Sequence, residues 1–349
     1  MKAWVLQDIN DIRYEDVVKP SLSDGEVLVV VKAVGICGSD IPRIYQNGAH
    51  RMPLIPGHEF AGEVVQLGKG VHESWLHKRV GIFPLLPCKE CVACQKEQYE
   101  MCRQYSYLGS RQNGGFAEYV AVPEWNLMEL PNTVSYEEAA MLEPMAVAIH
   151  AIHRVKIDRT DTVVVCGLGT IGMLLVMFLL EQGIQNILVV GNKEFQKKTV
   201  QKLGLPEQNY CDSKTEDVSA WISLHTNDIG ANVFFECVGK NETYSQAISM
   251  TAPGGFVCLV GNPYSDMKLD QQVYWKILRN QITVTGTWNS SFTGRTNDEW
   301  HDVLNLLEER RIIPSELISH RFRLDELDKG FEIMRNKSED YIKIIAVMN

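Results

Sequence analysis

The stretch Thr162–Leu180, TVVVCGLGTIGMLLVMFLL, decides the fold. Nineteen residues without a charge approach the length of a membrane span. The run opens, however, on β-branched residues and is then broken by Gly167, Gly169 and Gly172. That order reads as a buried strand, a tight turn and a buried helix. The turn spells G-x-G-x-x-G between strand and helix, the setting in which this spacing points to a dinucleotide. Gly167 permits the turn, Gly169 lets a pyrophosphate approach the backbone, and Gly172 lets helix and strand pack closely. Thr170 and Ile171 stand at the helix N-terminus, where free N–H groups favour phosphate.

Working outward, strands alternate with helical stretches: TVVVCG, NILVVG, ANVFFECVG and GGFVCLVG each end at or near a glycine. This is the pattern of a parallel sheet with crossover helices, and the fold class is α/β. Before Pro131 the chain differs. Short β-rich runs such as EVLVVVKAVGI, AGEVVQLG and GFAEYVAV, with Gly, Pro and Asp between them, predict an irregular, largely antiparallel β domain. At 349 residues the chain suits two domains. The closing segments EWHDVLNLLEERRI and YIKIIAVMN are expected to return to the first of them.

The nucleotide type turns on one position. About twenty residues beyond the glycine turn, at the end of the second strand, NAD-binding folds carry an acid for the ribose hydroxyls. Here that position is Gly191, followed by Asn192 and Lys193. The missing carboxylate removes a repulsion toward a 2′-phosphate, and Asn192 and Lys193 can donate to one. NADP(H) is therefore expected over NAD(H), with Glu194 as the residue that could still reach a ribose.

Net charge is −10, which disfavours sequence-independent nucleic-acid binding and attraction to anionic membranes. The first eighteen residues contain no apolar signal region, so a reducing cytoplasmic location is expected. In such a compartment clustered cysteines are more often metal ligands than disulfides. Cys88, Cys91, Cys94 and Cys102 follow C-x2-C-x2-C-x7-C. Four thiolates at such spacing can surround one tetrahedral zinc, a closed and hence structural site. An iron–sulfur cluster is the rival, weakened by the long last gap and the lack of a second cluster. A second, open set is Cys37 with His58 and Glu59, and Glu143 far downstream. Cysteine, histidine and a carboxylate, with a fourth position for water or substrate, make a catalytic zinc site.

CGSD (37–40), GHEFAGEVVQLG (57–68), the four-cysteine segment, GGFAEYV (114–120) and GLGTIG (167–172) occur in that order. Together they resemble the polyol branch of the zinc-dependent medium-chain dehydrogenases over essentially the whole chain. The resemblance implies a GroES-like β domain of residues 1–147 and 290–349, an inserted Rossmann domain of 148–289, and an active site in the cleft between them. It implies catalytic zinc on Cys37, His58 and Glu143, with Glu59 as an alternate ligand, and structural zinc on Cys88, Cys91, Cys94 and Cys102. The reaction implied is hydride transfer between a secondary alcohol and nicotinamide, giving a ketone. Ser39 would hydrogen-bond the substrate oxygen. Many relatives carry a proton-relay histidine where this chain has Pro42, so the proton route is left open.

The substrate implied is a small polyol, a phosphorylated hexitol, whose phosphate needs a basic clamp. Arg43, His50, Arg51 and Arg111 are the candidates. A non-phosphorylated polyol or secondary alcohol is the alternative, and a non-catalytic NADP-binding sensor is the alternative from another class. The family also implies a homodimer or homotetramer joined at the edge of the Rossmann sheet.

Overall fold

The computed structural model describes residues 1–263 and 265–348. The chain divides into two compact units, one of Val147–Asn289 and one of Met1–Ala146 with Ser290–Asn349.

In the unit Val147–Asn289 six strands form one parallel sheet. Their spatial order is Tyr210–Asp212, Asn186–Gly191, Thr162–Cys166, Ala231–Glu236, Thr251–Leu259, Thr283–Gly286. By sequence rank this is 3-2-1-4-5-6, the doubly wound order of dinucleotide-binding sheets. Thr162–Cys166 lies in the interior, in register with Asn186–Gly191 on one side (Val163↔Ile187) and with Ala231–Glu236 on the other (Val163↔Val233). Its valines are fully buried, which is why this strand reads as continuous rather than alternating. Helix Thr170–Glu181 buries every residue from Gly172 to Leu179. An all-round apolar helix is a core helix, and the nineteen uncharged residues are accounted for without a membrane. Among the described residues no helix is long and apolar enough to cross one. The short strands Tyr210–Asp212 and Thr283–Gly286 complete the sheet and lack the long apolar runs that mark the other four.

The other unit is built on a seven-stranded sheet. Its main path runs Ile318–Phe322, Lys343–Val347, Glu26–Ile36, Glu59–Leu67, Arg79–Ile82, Leu127–Glu129, and Tyr119–Pro123 also pairs with Glu26–Ile36. All pairings are antiparallel except that of Ile318–Phe322 with Lys343–Val347. The long central strand packs Val27, Val29, Val31 and Val34 into a core shared with Phe60, Phe116 and Phe331. The C-terminal segment thus supplies an interior strand of this sheet.

Candidate active site

Three neighbouring strands converge at one end of that sheet. Glu26–Ile36 finishes there, while the antiparallel Glu59–Leu67 and Lys343–Val347 begin there, with Gly35 opposite Glu59 and Ile36 opposite Ile344. Cys37, Glu59 and Lys343 are brought together by register alone. His58 precedes its strand, held by Gly57 at φ +92°. The segment Ile55–Gly57 is pinned by three backbone bonds, Gly114 N–H to Ile55 O (2.8 Å), Gly115 N–H to Gly57 O (2.7 Å) and Phe116 N–H to Pro56 O (3.0 Å). A Cβ on Gly114 would run into the Gly57 carbonyl oxygen, so the glycine pair is what permits this approach.

The Cys37 sulfur, a His58 nitrogen and a Glu59 oxygen lie within 4.8 Å of one another. Glu59 and His58 are buried. Behind them sits Asp40, fully buried, which accepts from the Cys37 N–H at 3.0 Å and pairs with the Arg43 guanidinium. Its Oδ1 is 3.6 Å from His58 Nδ1, a buried nitrogen without a hydrogen-bond partner. Lys343, also buried, donates to Glu59 Oε2 and to the Ile36 carbonyl, the latter at 3.0 Å. Ser39 donates its hydroxyl to the Cys37 sulfur at 3.3 Å.

Glu143, in the first turn of helix Leu142–His153, is buried but stands outside the trio. Its Oε1 accepts from the Tyr107 hydroxyl at 2.9 Å, and the Tyr107 ring meets His58 edge-on with centroids 5.7 Å apart. Burial pushes the Glu143 carboxyl upward, and the charge of His58 works against that shift. The resemblance implies Glu143 as ligand with Glu59 as alternate; among the described residues it is Glu59 that lies within 4.8 Å of Cys37 and His58.

This donor set fits zinc. Thiolate, imidazole and carboxylate are the mixture found at open zinc sites. The cluster is also short of positive charge. Burial disfavours a charged imidazole at His58, yet Asp40 and then Cys37 outweigh it and push the group up to about 10. Two buried carboxylates and a thiol beside a histidine whose Nδ1 has no hydrogen-bond partner are surroundings that favour a cation.

The four cysteines of the second cluster also converge, with all four sulfurs within 4.8 Å. Sγ–Sγ distances are 3.6 Å for Cys91–Cys94 and 3.9 Å for Cys88–Cys94 and Cys91–Cys102. None forms a disulfide. A zinc tetrahedron with bonds of about 2.3 Å has edges of about 3.8 Å, which these spacings match. Backbone N–H groups of Cys94 and Arg103 stabilise the Cys91 thiolate and bring that thiol down to about 6. No fifth side chain joins the set among the described residues, so the cluster is closed.

At the glycine turn, Gly167 has φ +99°, and a Cβ on Gly172 would run into the Gly167 carbonyl oxygen. A Cβ on Gly169 would meet nothing within 4 Å, leaving open space beside the N-terminus of Thr170–Glu181. Gly191 ends its strand against Tyr210: a Cβ there would lie 2.6 Å from the Tyr210 hydroxyl. That hydroxyl accepts from the Lys193 N–H (3.2 Å) and donates to the Lys193 carbonyl (3.0 Å), fixing the turn that carries Asn192 and Lys193.

Of the proposed phosphate clamp, Arg43 is engaged by Asp40, and Arg111 donates to the Tyr105 carbonyl (3.1 Å) while stacking 4.2 Å over that ring. His50 and Arg51 are exposed. Three residues of the site escape a reading of the sequence. Asp40 stands in view, three positions after Cys37. Tyr107 and Lys343 give no signal, since a lone tyrosine does not show what its hydroxyl meets and a lysine in a β segment reads as surface-facing.

Residues 23–132 match the alcohol dehydrogenase GroES-like domain and residues 170–309 the zinc-binding dehydrogenase domain. The chain is 31% identical to galactitol 1-phosphate 5-dehydrogenase of Escherichia coli (strain K12), over 99% of this chain and 100% of that protein. It is 28% identical to sorbitol dehydrogenase of Bacillus subtilis (strain 168), over 100% and 98% respectively. The structure of a zinc-binding dehydrogenase from Sinorhizobium meliloti 1021 bound to NADP superposes with a TM-score of 0.89 at 26% identity, covering 99% of both chains. With these matches spanning its whole length, the chain belongs to the zinc-dependent medium-chain dehydrogenases, as an enzyme of their alcohol and polyol dehydrogenase branch.

Proposed function

We propose that this enzyme interconverts a hexitol phosphate and the corresponding ketose phosphate with NADP(H), using one catalytic and one structural zinc per chain. The observation that carries the substrate class is the full-length relationship to a galactitol 1-phosphate dehydrogenase. Cys37 and His58, with Glu143 or Glu59 as the carboxylate, would hold the catalytic ion, and Cys88, Cys91, Cys94 and Cys102 the structural one. A zinc ion bound at the first set supplies Lewis acidity that makes a secondary alcohol more acidic. Asp40 fixes the Cys37 backbone and sets a negative charge 3.6 Å behind His58, Lys343 neutralises Glu59, and Ser39 is placed beside the cysteine to meet the substrate hydroxyl. Gly191, Asn192 and Lys193 favour a 2′-phosphate by lacking an acid and offering donors. The NADP-bound relative supports the same cofactor.

A free polyol is the second reading. It is favoured by the sorbitol dehydrogenase relative and by the engagement of Arg43 with Asp40, which removes one member of the phosphate clamp. Measuring kcat/KM for hexitol phosphates and free polyols, each with NADP and NAD, separates the two. A preference for free sorbitol over its phosphate sinks the first reading.

The assembly we propose is a homodimer, as the unit of either oligomer the family implies. Strand Thr283–Gly286 ends the parallel sheet, and helix Gln271–Asn280, which leads into it, buries none of its residues, leaving Tyr274, Trp275 and Leu278 about half exposed. An unpaired sheet edge flanked by an apolar helix face is a surface suited to a second copy. A monomeric mass in sedimentation at micromolar concentration would count against it.

A further inference from the structure

Helix Glu194–Lys202 opens soon after strand Asn186–Gly191, and its third residue is Gln196. The Gln196 side chain uses both ends of its amide. Its Oε1 accepts the Asn192 N–H at 3.0 Å, and its Nε2 donates to the Leu168 carbonyl, 28 residues away, at 3.0 Å. The first bond resembles a helix cap, in which a glutamine at the third position reaches back to a backbone N–H. The second has no such local purpose, because Leu168 lies inside the glycine turn.

Backbone pairing does not carry this connection. The ladder between the two strands closes with the Gly167 N–H on the Val190 carbonyl at 3.0 Å. Beyond that point Gly191 turns to its other neighbour, its carbonyl accepting from the Ser213 N–H at 2.9 Å. Lys193 is held from the same side by the Tyr210 hydroxyl. Gln196 supplies a bond in the opposite direction, back to the glycine turn. Gly191 leaves the room for it, since a Cβ there would lie 2.9 Å from Gln196 Oε1.

The two turns are the places where a dinucleotide's pyrophosphate and its adenosine ribose are expected. We propose that Gln196 is a positioning residue for the cofactor, a strut that fixes the spacing of the glycine turn and the turn Gly191–Lys193 before the cofactor arrives. A ligand that spans both turns gains from finding them preset, whereas one that touches a single turn does not. The glycine at 191 then serves the strut as well as the choice of nucleotide. The inference rests on reading the glycine turn as a dinucleotide site, and it holds for NADP and NAD alike.

Gln196→Met keeps an unbranched side chain of similar length and removes both polar ends. Affinities for NADP and NAD are measured by calorimetry, and those for 2′-AMP and adenosine by displacement of the bound reduced cofactor's fluorescence. The variant should weaken NADP and NAD by roughly five- to tenfold, about the worth of one hydrogen bond, and leave 2′-AMP and adenosine within twofold. In the ligand-free enzyme, amide hydrogen exchange should quicken across Gly167–Gly172 as well as at Asn192, whereas loss of a cap alone would quicken only the latter. If Gln196→Met fails to fold, Gln196→Glu keeps the acceptor for Asn192 and loses the donor to Leu168. At high salt, which screens the new charge, it should show the same split between dinucleotides and 2′-AMP. Equal weakening of NADP and 2′-AMP, or unchanged exchange across Gly167–Gly172, overturns the strut. A parent enzyme that binds neither NADP nor NAD overturns the dinucleotide reading itself, and the proposal with it.

Discussion

The two clusters of metal-binding side chains are built on opposite plans. The four-cysteine cluster draws all its members from Cys88–Cys102, a segment whose short turns and backbone N–H groups fold the sulfurs inward. The Cys37 cluster draws on three strands, and its charge balance depends on Lys343, 284 residues from Glu59. A local site is a property of a segment, and its loss should be felt as stability. An assembled site is a property of a sheet register, and its loss should be felt as chemistry.

The sharpest way to break this contrast is Cys37→Ser. Turnover should fall by about 10³-fold or more, since several kcal/mol of charge stabilisation depend on the ion. The melting temperature should stay within a few degrees, as thermal unfolding would register. Turnover within a few-fold of the parent in metal-free buffer would dissolve the contrast. Cys94→Ser should show the reverse, losing one equivalent of zinc by metal analysis. A loss of about 3 kcal/mol would lower Tm by roughly 6–12 °C in a unit of some two hundred residues. Unchanged Tm with two bound zincs would deny the cluster a structural role.

Asp40→Asn asks how far the assembled site extends behind its ligands. Groups that support metal ligands from behind typically contribute 10- to 100-fold in metal affinity, and about tenfold is expected here, where Asp40 holds the Cys37 N–H, in competition with a chromophoric chelator. The four-cysteine cluster should be unmoved by the same change. The smallest effect concerns the nucleotide turn, where a local motif meets a distant contact. Gly191→Asp alone should destabilise the turn, because its Cβ would lie 2.6 Å from the Tyr210 hydroxyl. Paired with Tyr210→Val, the new carboxylate should shift the kcat/KM ratio from NADP toward NAD by roughly 5- to 20-fold. A parent that already prefers NAD by tenfold would remove the premise.

The same contrast explains what can be read from residues alone. The glycine turn, the four cysteines and the buried helix after Gly169 are local patterns, each constrained within about twenty residues. Strand Tyr210–Asp212 is three residues long, too short to show a period, and is invisible for that reason. Arg43 reads as free charge because sequence shows a guanidinium but not the carboxylate three residues before it turning back to meet it. Lys343 opens an otherwise apolar strand, KIIAV, and only the register against Gly35 and Ile36 reveals that its ammonium faces inward. Choosing between Glu59 and Glu143 needs the same information.

The interior position of Lys343–Val347 sets an order of events during synthesis. As the first 146 residues leave the ribosome, Glu26–Ile36 can pair with Glu59–Leu67 and Tyr119–Pro123, but the backbone of Ala33–Ile36 has no partner on its other side. That gap closes only when residue 347 has been made. Until then Glu59 is a carboxylate in a forming core without its ammonium, and the nascent sheet keeps an open edge through translation of the entire nucleotide-binding unit. Chaperones that shield β edges, or early capture of a metal ion by Cys37, His58 and Glu59, would protect the chain over that interval.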